Sequence, residues 1–138
     1  MSPIYLLRHA KTEQNLFKAD FDRELIEKGF HQVAKLIKKL KEENITFDTI
    51  ICSPAKRTKQ TSQEILEKIW TKKTKITFDE NLYSCSSDYL LSVVYEQEKK
   101  NKWNTLIVWH NHSIENIVNH FLNEKIGHVK TCGIYKIN

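Results

Sequence analysis

Arginine and histidine side chains come directly after apolar segments that are typical of buried strands. Arg8 and His9 follow the first such segment, and His110 follows the fourth. Arg57 lies where the first turn of a helix is expected after the second segment. Arginine presents a planar fork that matches phosphate oxygens, and histidine can act as a nucleophile, an acid or a base. Together these residue types could bind a phosphoryl group and transfer it.

Each of these residues has an ordinary explanation when it is taken alone. His9 would be a structural histidine, and Arg57 a surface cation on a helix. However, the carboxyl ends of parallel strands meet along one rim, where α/β proteins bind their ligands. The only glycines are Gly29, Gly127 and Gly133, so the chain lacks a glycine-rich loop that would hold phosphate with backbone amides. If phosphate is bound, side chains must hold it.

Short apolar runs alternate with amphipathic stretches along the chain. The runs predict five strands, at Ile4–Leu7, Thr49–Cys52, Ile76–Phe78, Leu106–Trp109 and Cys132–Ile137. This alternation predicts a single three-layer α/β/α domain over residues 1–138, with a mostly parallel sheet that helices cover on both faces.

The stretches between the runs have the spacing of helices that bury one face. The first of these predicted faces comprises Phe30, Val33, Ala34, Ile37 and Leu40. Ser53-Pro54 has the pattern of an N-cap followed by proline at the first helical position. We therefore expect the second helix to begin directly after the second strand.

Composition and charge exclude several classes of protein. The 138 residues are 40% hydrophobic and 28% charged, and no apolar run is long enough to span a membrane. The three cysteines are widely spaced, which favours a reducing compartment over a disulfide framework. The net charge of +5 comes from lysines scattered through helical stretches, without the aromatic-interleaved basic runs of nucleic-acid-binding proteins. We expect a cytoplasmic protein that binds neither nucleic acid nor membranes.

Motifs along nearly the whole chain resemble, in order, those of one known family. They are Leu6-Leu7-Arg8-His9-Ala10-Lys11, Asp22-Arg23-Glu24-Leu25 with Gly29, Ser53-Pro54-Ala55-Lys56-Arg57-Thr58-Lys59-Gln60-Thr61, Leu82-Tyr83, Ile107-Val108-Trp109-His110-Asn111 and Lys130-Thr131-Cys132-Gly133-Ile134. This pattern resembles the histidine phosphatase superfamily, which includes cofactor-dependent phosphoglycerate mutases, and within it the SixA-type phosphohistidine phosphatases. Trp109 and His112 stand where the SixA pattern has glycine and proline, whereas Thr12 and Asn15 resemble the mutase-like opening.

The resemblance implies a phosphoglycerate mutase-like fold in which Arg8, His9, Arg57 and His110 form the catalytic pocket. It implies a phosphatase that works through a phosphohistidine on His9, without a cofactor, and acts on a phosphorylated protein, most of all one that carries phosphohistidine. A small-molecule phosphomonoesterase or mutase of the same superfamily is an alternative. A catalytically silent module that binds phosphate or a phosphoprotein is another.

The resemblance also suggests how charge is arranged in such a pocket. Arg8 and Arg57 would neutralise the phosphoryl oxygens, and His110 would add a hydrogen bond as an imidazolium. Because like charges disfavour protonation, the cations should keep His9 neutral.

Other residues are weaker candidates. Arg23 and Asn15 are possible further contacts to the substrate, although each is equally well explained as a loop residue. Glu80 loosely matches the proton donor of mutase-like relatives and is better interpreted as a solvated carboxylate. The late histidines His110, His112, His120 and His128 lack the carboxylate or cysteine partners of a recognisable metal site, so no metal is expected.

Overall fold

The computed structural model describes residues 3–69, 71, 74–83, 86–100, 104–110, 113–122 and 127–137. These residues form five strands, β1 (Ile4–Arg8), β2 (Thr49–Cys52), β3 (Lys75–Phe78), β4 (Thr105–Trp109) and β5 (Ile134–Lys136). They also form four α-helices, α1 (Glu27–Glu42), α2 (Lys56–Lys68), α3 (Ser87–Lys100) and α4 (Ser113–Leu122). Single 3₁₀ turns occur at Asp20–Asp22 and Glu80–Leu82.

The strands form one sheet in the order β3-β2-β4-β1-β5. The first three pairings along this order are parallel, and the edge strand β5 runs antiparallel to β1. The predicted α/β class with a mostly parallel sheet is therefore confirmed.

Helices cover both faces of the sheet and divide the core into two parts. Side chains of α1 and α2 pack on one face, with Val33, Ile37 and Ile65 against alternate residues of β1 and β4. Side chains of α3 and α4 pack on the other face, where Leu90 and Ile117 belong to the second cluster. The central strands β1 and β4 are consequently apolar on both faces, as continuous hydrophobic runs predict. Within the described residues, no helix has the length and apolar character needed to cross a membrane.

The buried face of α1 is rotated from the predicted one. Its buried residues are Gly29, Val33, Leu36, Ile37 and Leu40, whereas Phe30 and Ala34 are exposed. The stripe starts at Gly29 because α1 comes very close to the backbone there. A Cβ at position 29 would lie 2.2 Å from the carbonyl oxygen of Lys11, so only glycine fits without a shift.

Helix α2 begins later than predicted. It starts at Lys56 with Ala55 at the N-cap position, and no side chain caps it. Ser53 is therefore not the N-cap. Its hydroxyl instead lies 2.9 Å from Nε2 of His110. The loop between β2 and α2 thereby belongs to the rim where the strands end.

Candidate active site

Two adjacent strands place His9 and His110 side by side at the carboxyl edge of the sheet. Each residue follows the last residue of its strand, β1 or β4, and these strands are paired in parallel. The backbone of His9 is held on both sides, since its N–H donates to Trp109 (3.1 Å) and its carbonyl accepts from Cys132 (3.0 Å). The two imidazole rings lie 5.5 Å apart between centroids. Both side chains are buried.

The hydrogen bond of His9 defines its tautomer. Its Nδ1 lies 2.7 Å from the carbonyl oxygen of Ala10, and a carbonyl can only accept, so Nδ1 carries the proton. Burial is the largest cause that lowers the pKa of His9, and the charges of Arg57 and Arg8 act in the same direction. The pKa is about 4 despite the opposing effect of the Ala10 bond. At neutral pH the ring is therefore uncharged, and Nε2 has a free lone pair. This agrees with the expectation that nearby cations keep His9 neutral.

His110 is also neutral in this site, which corrects the expected imidazolium. Burial lowers its pKa to about 3, and the charge of Arg57 contributes. Its Nε2 lies 2.9 Å from Ser53 Oγ, which also accepts from the Ala55 N–H at 3.4 Å. We assign the Ser53 hydroxyl as the donor to Nε2, which places the proton of His110 on Nδ1.

Arg57 is nine-tenths buried and presents its fork to the 3₁₀ turn at Asp20. Nη1 donates to the backbone carbonyl of Asp20 at 2.7 Å, and Nη2 to its carboxylate at 3.0 Å. The first turn of α2 is fixed to the loop after β1 by Thr61, whose hydroxyl accepts from the Ala10 N–H and donates to the Arg57 carbonyl. An arginine of α2 is thereby held beside the histidine that follows β1.

Arg8 and Arg23 complete the cationic surroundings of His9. Arg8 Nη1 donates to the Val129 carbonyl at 2.8 Å and lies 3.2 Å from His128 Nε2. Arg23 Nε lies 3.2 Å from the Asp20 carboxylate, within ion-pair distance. Arg23, a weaker candidate from the sequence, is thus brought into the same cluster.

Buried nitrogen atoms without hydrogen-bond partners are concentrated here. In the described part of the chain they are Arg8 Nε, Arg23 Nε, Arg57 Nε and His110 Nδ1. A buried donor without a partner costs about 1–3 kcal/mol, so native structures rarely leave several together. Arg23 Nε is already within ion-pair distance of the Asp20 carboxylate. The other three, with the proton of His110 assigned to Nδ1, are donors on or beside cations, and an anion is the group that would satisfy them.

The structure does not bring every predicted residue into this cluster. Asn15 is exposed, and its side chain accepts from the Phe17 N–H at 3.0 Å in a local turn. Glu80 is exposed and lines a different groove, between β3 and α3. His112 lies outside the described residues, and His120 is exposed at the end of α4. Among the described residues, no group of three or more metal-ligating side chains could hold a metal ion.

Asp20, which sequence analysis did not select, and Tyr83, which it named only within the Leu82-Tyr83 motif, close one side of the site. The Tyr83 hydroxyl donates to the Asp20 carboxylate at 2.7 Å. Desolvation acts to raise the pKa of Asp20, but the Tyr83 bond and the charge of Arg57 outweigh it and lower the pKa. Asp20 is therefore an anion that occupies the arginine fork. In the sequence, the one indication of this role is that Asp20 lies three residues before Arg23.

Trp109 supports this closed side and does not narrow the space in front of His9. The indole is buried, and its Nε1–H donates to the carbonyl of Leu82. That bond holds the segment carrying Tyr83, whose ring lies 6.0 Å from that of His110. A glycine at position 109 could not make this contact.

The open side of the site is a cavity of about 440 Å³ lined by Arg8, His9 and Arg23, with further residues from α1 and the segment before β5. Fold and site together define an α/β protein whose anion-binding site is built around two neutral histidines and three arginines. The family model for the histidine phosphatase superfamily (branch 1) matches residues 4–86, and the chain belongs to this superfamily.

Solved structures with the same fold include proteins of different specificities. A protein assigned as the phosphohistidine phosphatase SixA, from Agrobacterium tumefaciens, is 26% identical with a TM-score of 0.85, over 96% of this chain and 88% of that one. The protein histidine phosphatase SixA in complex with tungstate is 16% identical with a TM-score of 0.86, over 97% and 86%. A phosphoserine phosphatase from Entamoeba histolytica is 18% identical with a TM-score of 0.75, over 97% and 89%.

A curated relative with a different reaction also matches. The 2,3-bisphosphoglycerate-dependent phosphoglycerate mutase of Bartonella tribocorum is 38% identical in an alignment of 69 residues that covers 48% of this chain and 34% of the mutase. The matched region thus spans about a third of that relative's length.

The neutral burial of His110 predicts a specific dependence of stability on pH. Its pKa is lower in the folded protein, at about 3, than the usual 6.5, so between these values the unfolded chain binds a proton that the folded protein does not. The contribution of neutral His110 to the free energy of unfolding is fully present above about pH 6.5, and it is lost as pH falls toward 3. We expect His110→Gln to flatten the slope of unfolding free energy between pH 6 and 4.5, by up to ~1.4 kcal/mol per pH unit. Urea unfolding at several pH values measures it.

The matched control is His31→Gln, because His31 is exposed on α1. The slope of unfolding free energy against pH should be the same in His31→Gln as in the wild type. A slope for His110→Gln equal to that of the wild type would contradict the neutral buried state.

A second prediction concerns Asp20 as the anion that occupies the arginine fork. Asp20→Asn removes the charge that competes with a bound anion. A half-exposed ion pair is worth about 1 kcal/mol, which corresponds to a factor of about five in a dissociation constant. We therefore expect tungstate to bind about fivefold more tightly to this variant. Isothermal titration calorimetry measures the dissociation constant. Asp22→Asn, in the same 3₁₀ turn but without a side-chain ion pair to a described residue, should change it little. Weaker tungstate binding by Asp20→Asn would show that Asp20 helps to build the anion site.

Proposed function

We propose that this chain is a phosphatase that transfers a phosphoryl group to His9 and then to water, and that its substrates are proteins carrying phosphohistidine. The observation that carries the proposal is the state of His9. Its Nδ1–H is bound to the Ala10 carbonyl, its ring is neutral, and His9 lines a cavity together with Arg8 and Arg23.

The first step is in-line attack by the His9 Nε2 lone pair on phosphorus. A bond forms between Nε2 and phosphorus while the bond from phosphorus to the substrate breaks, and its electron pair leaves with the substrate atom. In the second step water attacks phosphorus, the pair of the N–P bond returns to Nε2, and inorganic phosphate is released. The Ala10 carbonyl favours the first step because it stabilises the proton on Nδ1 as the ring gains positive charge. It also holds that proton on Nδ1, so that His9 leaves as neutral imidazole in the second step.

The charge of the transferred group is balanced by donors that are fixed before it arrives. Arg8 and Arg57 supply guanidinium nitrogens, and His110 supplies Nδ1–H, which has no partner in the described structure. Such preorganised donors contribute most in phosphoryl transfer, where the reaction requires mainly positioning and charge neutralisation. Arg57 must exchange its Asp20 partner for phosphoryl oxygens when the substrate binds.

The leaving group favours phosphohistidine over an ester. An alkoxide needs a proton from a general acid, worth about 10²–10⁴-fold in rate. Among the described residues that line the cavity, none is Asp or Glu. Glu80 lies in another groove, and Asp20 is ionised because its pKa is lowered. The imidazole that leaves phosphohistidine is a weak base with a pKa near ~6.5, so solvent can protonate it.

A protein substrate is favoured by the surface beside the cavity. Leu16 and Phe17 are fully exposed, at 96% and 102%, within the loop that joins cavity-lining Gln14 to Arg23. Lys18 fixes this loop through ion pairs with Glu13 and Glu24, each at 2.9 Å. An apolar pair held in solvent next to a catalytic cavity is the kind of surface that contacts another macromolecule.

One observation favours the alternative of a small phosphomonoester. The mutase of Bartonella tribocorum shares 38% identity with part of this chain, and it acts on a small phosphorylated molecule. The comparison of substrates that tests our proposal also tests this alternative.

The test is a comparison of kcat/KM for a protein phosphorylated on one surface histidine, a phosphoserine peptide and a sugar phosphate, at equal pH and ionic strength. Because no carboxylate among the described lining residues can protonate an alkoxide leaving group, we expect kcat/KM to be at least ~100-fold higher for the phosphohistidine protein. His9→Ala should abolish turnover, whereas Glu80→Gln should leave it unchanged. Equal or better turnover of either ester would reject the phosphohistidine preference, and absence of turnover with all three would favour a silent binding module.

A further inference from the structure

The cavity in front of His9 continues into a wall formed by three lysines. Lys11 follows β1, Lys28 lies in the first turn of α1, and Lys130 precedes β5. With Arg8 and Arg23 they give the cavity five cationic side chains, and its described lining has no carboxylate. Within the described part of the chain, no carboxylate lies within ion-pair distance of these three lysines.

This arrangement differs from the closed side of the site, where cations are neutralised. Arg57 is paired with Asp20 there, and Lys56 with Glu24 at 2.9 Å. The lysine wall has no such compensation, so the like charges repel one another in the absence of a ligand. Lys28 also stands near the positive end of the α1 dipole, where a cation is unfavourable. The three lysines are exposed, and their uncompensated positive charge makes the wall suited to bind an anion.

The backbone beneath the wall is fixed by contacts that join its three segments. Gln32 of α1 accepts from the Lys11 N–H at 2.9 Å and donates to the Thr131 hydroxyl at 3.0 Å. The Lys11 carbonyl accepts from Ile26 at 3.1 Å, and it lies so close to Gly29 that a Cβ there would clash. The lysine side chains therefore start from anchored positions around one space.

The closed side of the site determines where the substrate must lie. Asp20 and Tyr83 cover the side of Arg57 and His110. The rest of a substrate whose phosphoryl group faces His9 must therefore extend through the open cavity, along the lysine wall. The transferred group is already matched by the arginines, so the lysines face a different part of the substrate.

We propose that Lys11, Lys28 and Lys130 bind a second anionic group of the substrate, carried by the part that remains after phosphoryl transfer. This inference rests on the proposed function, because it takes His9 as the acceptor of the phosphoryl group. In a protein substrate the second anion is an Asp or Glu beside the phosphohistidine. In a small molecule it is a second phosphate, and the lysine ammonium groups suit both because they bind without a fixed orientation.

The experiment uses two peptides phosphorylated on one histidine, which differ only in flanking residues that are Glu in one and Gln in the other. At physiological salt we expect kcat/KM to be about tenfold higher for the acidic peptide, which corresponds to about 1.4 kcal/mol of added binding free energy. The difference should come from a lower KM and not from kcat. The triple variant Lys11→Gln, Lys28→Gln, Lys130→Gln should lose this preference. The control is a second triple variant with the same net charge, in which the changed lysines are exposed outside the cavity: Lys38→Gln, Lys41→Gln and Lys99→Gln. This control should keep the preference for the acidic peptide.

A second arm separates the two sources of the anion. It compares a bisphosphate of a short alkanediol with the monophosphate of the same diol. A lysine-dependent preference in either arm supports the inference and identifies the source. No preference in either arm, or an equal loss of preference in the control variant, would overturn it.

A binding measurement separates failure of this inference from failure of the proposed function. Acidic and neutral peptides with a stable phosphoryltriazole in place of phosphohistidine are titrated calorimetrically, which requires no turnover. Tighter binding of the acidic peptide that the triple variant abolishes would support the lysine site even if no peptide were hydrolysed. Equal dissociation constants would exclude it even if both peptides were hydrolysed.

Discussion

The burial of two imidazoles beside guanidinium ions is the constraint on which the site depends. Parallel pairing of β1 and β4 places His9 and His110 together at the carboxyl edge of the sheet. Neither ring can be charged there at neutral pH, because desolvation and the arginines lower both pKa values. In the proposed mechanism, the same surroundings keep His9 a neutral nucleophile and bind the phosphoryl group that it attacks.

The cations around His9 are balanced differently on its two sides. On one side Asp20 occupies the fork of Arg57, supported by Tyr83 and, through the Leu82 carbonyl, by Trp109. On the other side the cavity has lysines without partners among the described carboxylates. Asp20 satisfies the arginine in the absence of a ligand. In the proposed mechanism a phosphoryl group replaces Asp20, and the lysine wall binds the rest of the substrate. This division explains how a basic chain keeps a dense cluster of cations without a bound ligand.

The sequence was sufficient to predict the class of fold and that Arg8, His9, Arg57 and His110 would lie close together. Strand ends are local features of the sequence, and parallel strands align them, so Arg8, His9 and His110 could be placed on one rim. The charge of His110 could not be predicted, because it depends on burial that only the tertiary structure shows. Asp20 was missed for a similar reason, since it reaches Arg57 across 37 residues of chain. Ser53 has the pattern of a helix cap, but its hydroxyl lies beside His110, a competition that local sequence does not reveal.

The most direct test of this account is the position of phosphate in the trapped enzyme. The chain is incubated briefly with a phosphoramidate, quenched in alkali where phosphohistidine survives, and analysed by tandem mass spectrometry and phosphorus NMR. Because Nδ1 of His9 is bound to the Ala10 carbonyl, the account predicts phosphate on His9 at Nε2 alone. Phosphate at Nδ1 of His9, on His110, or on a serine or cysteine would contradict it.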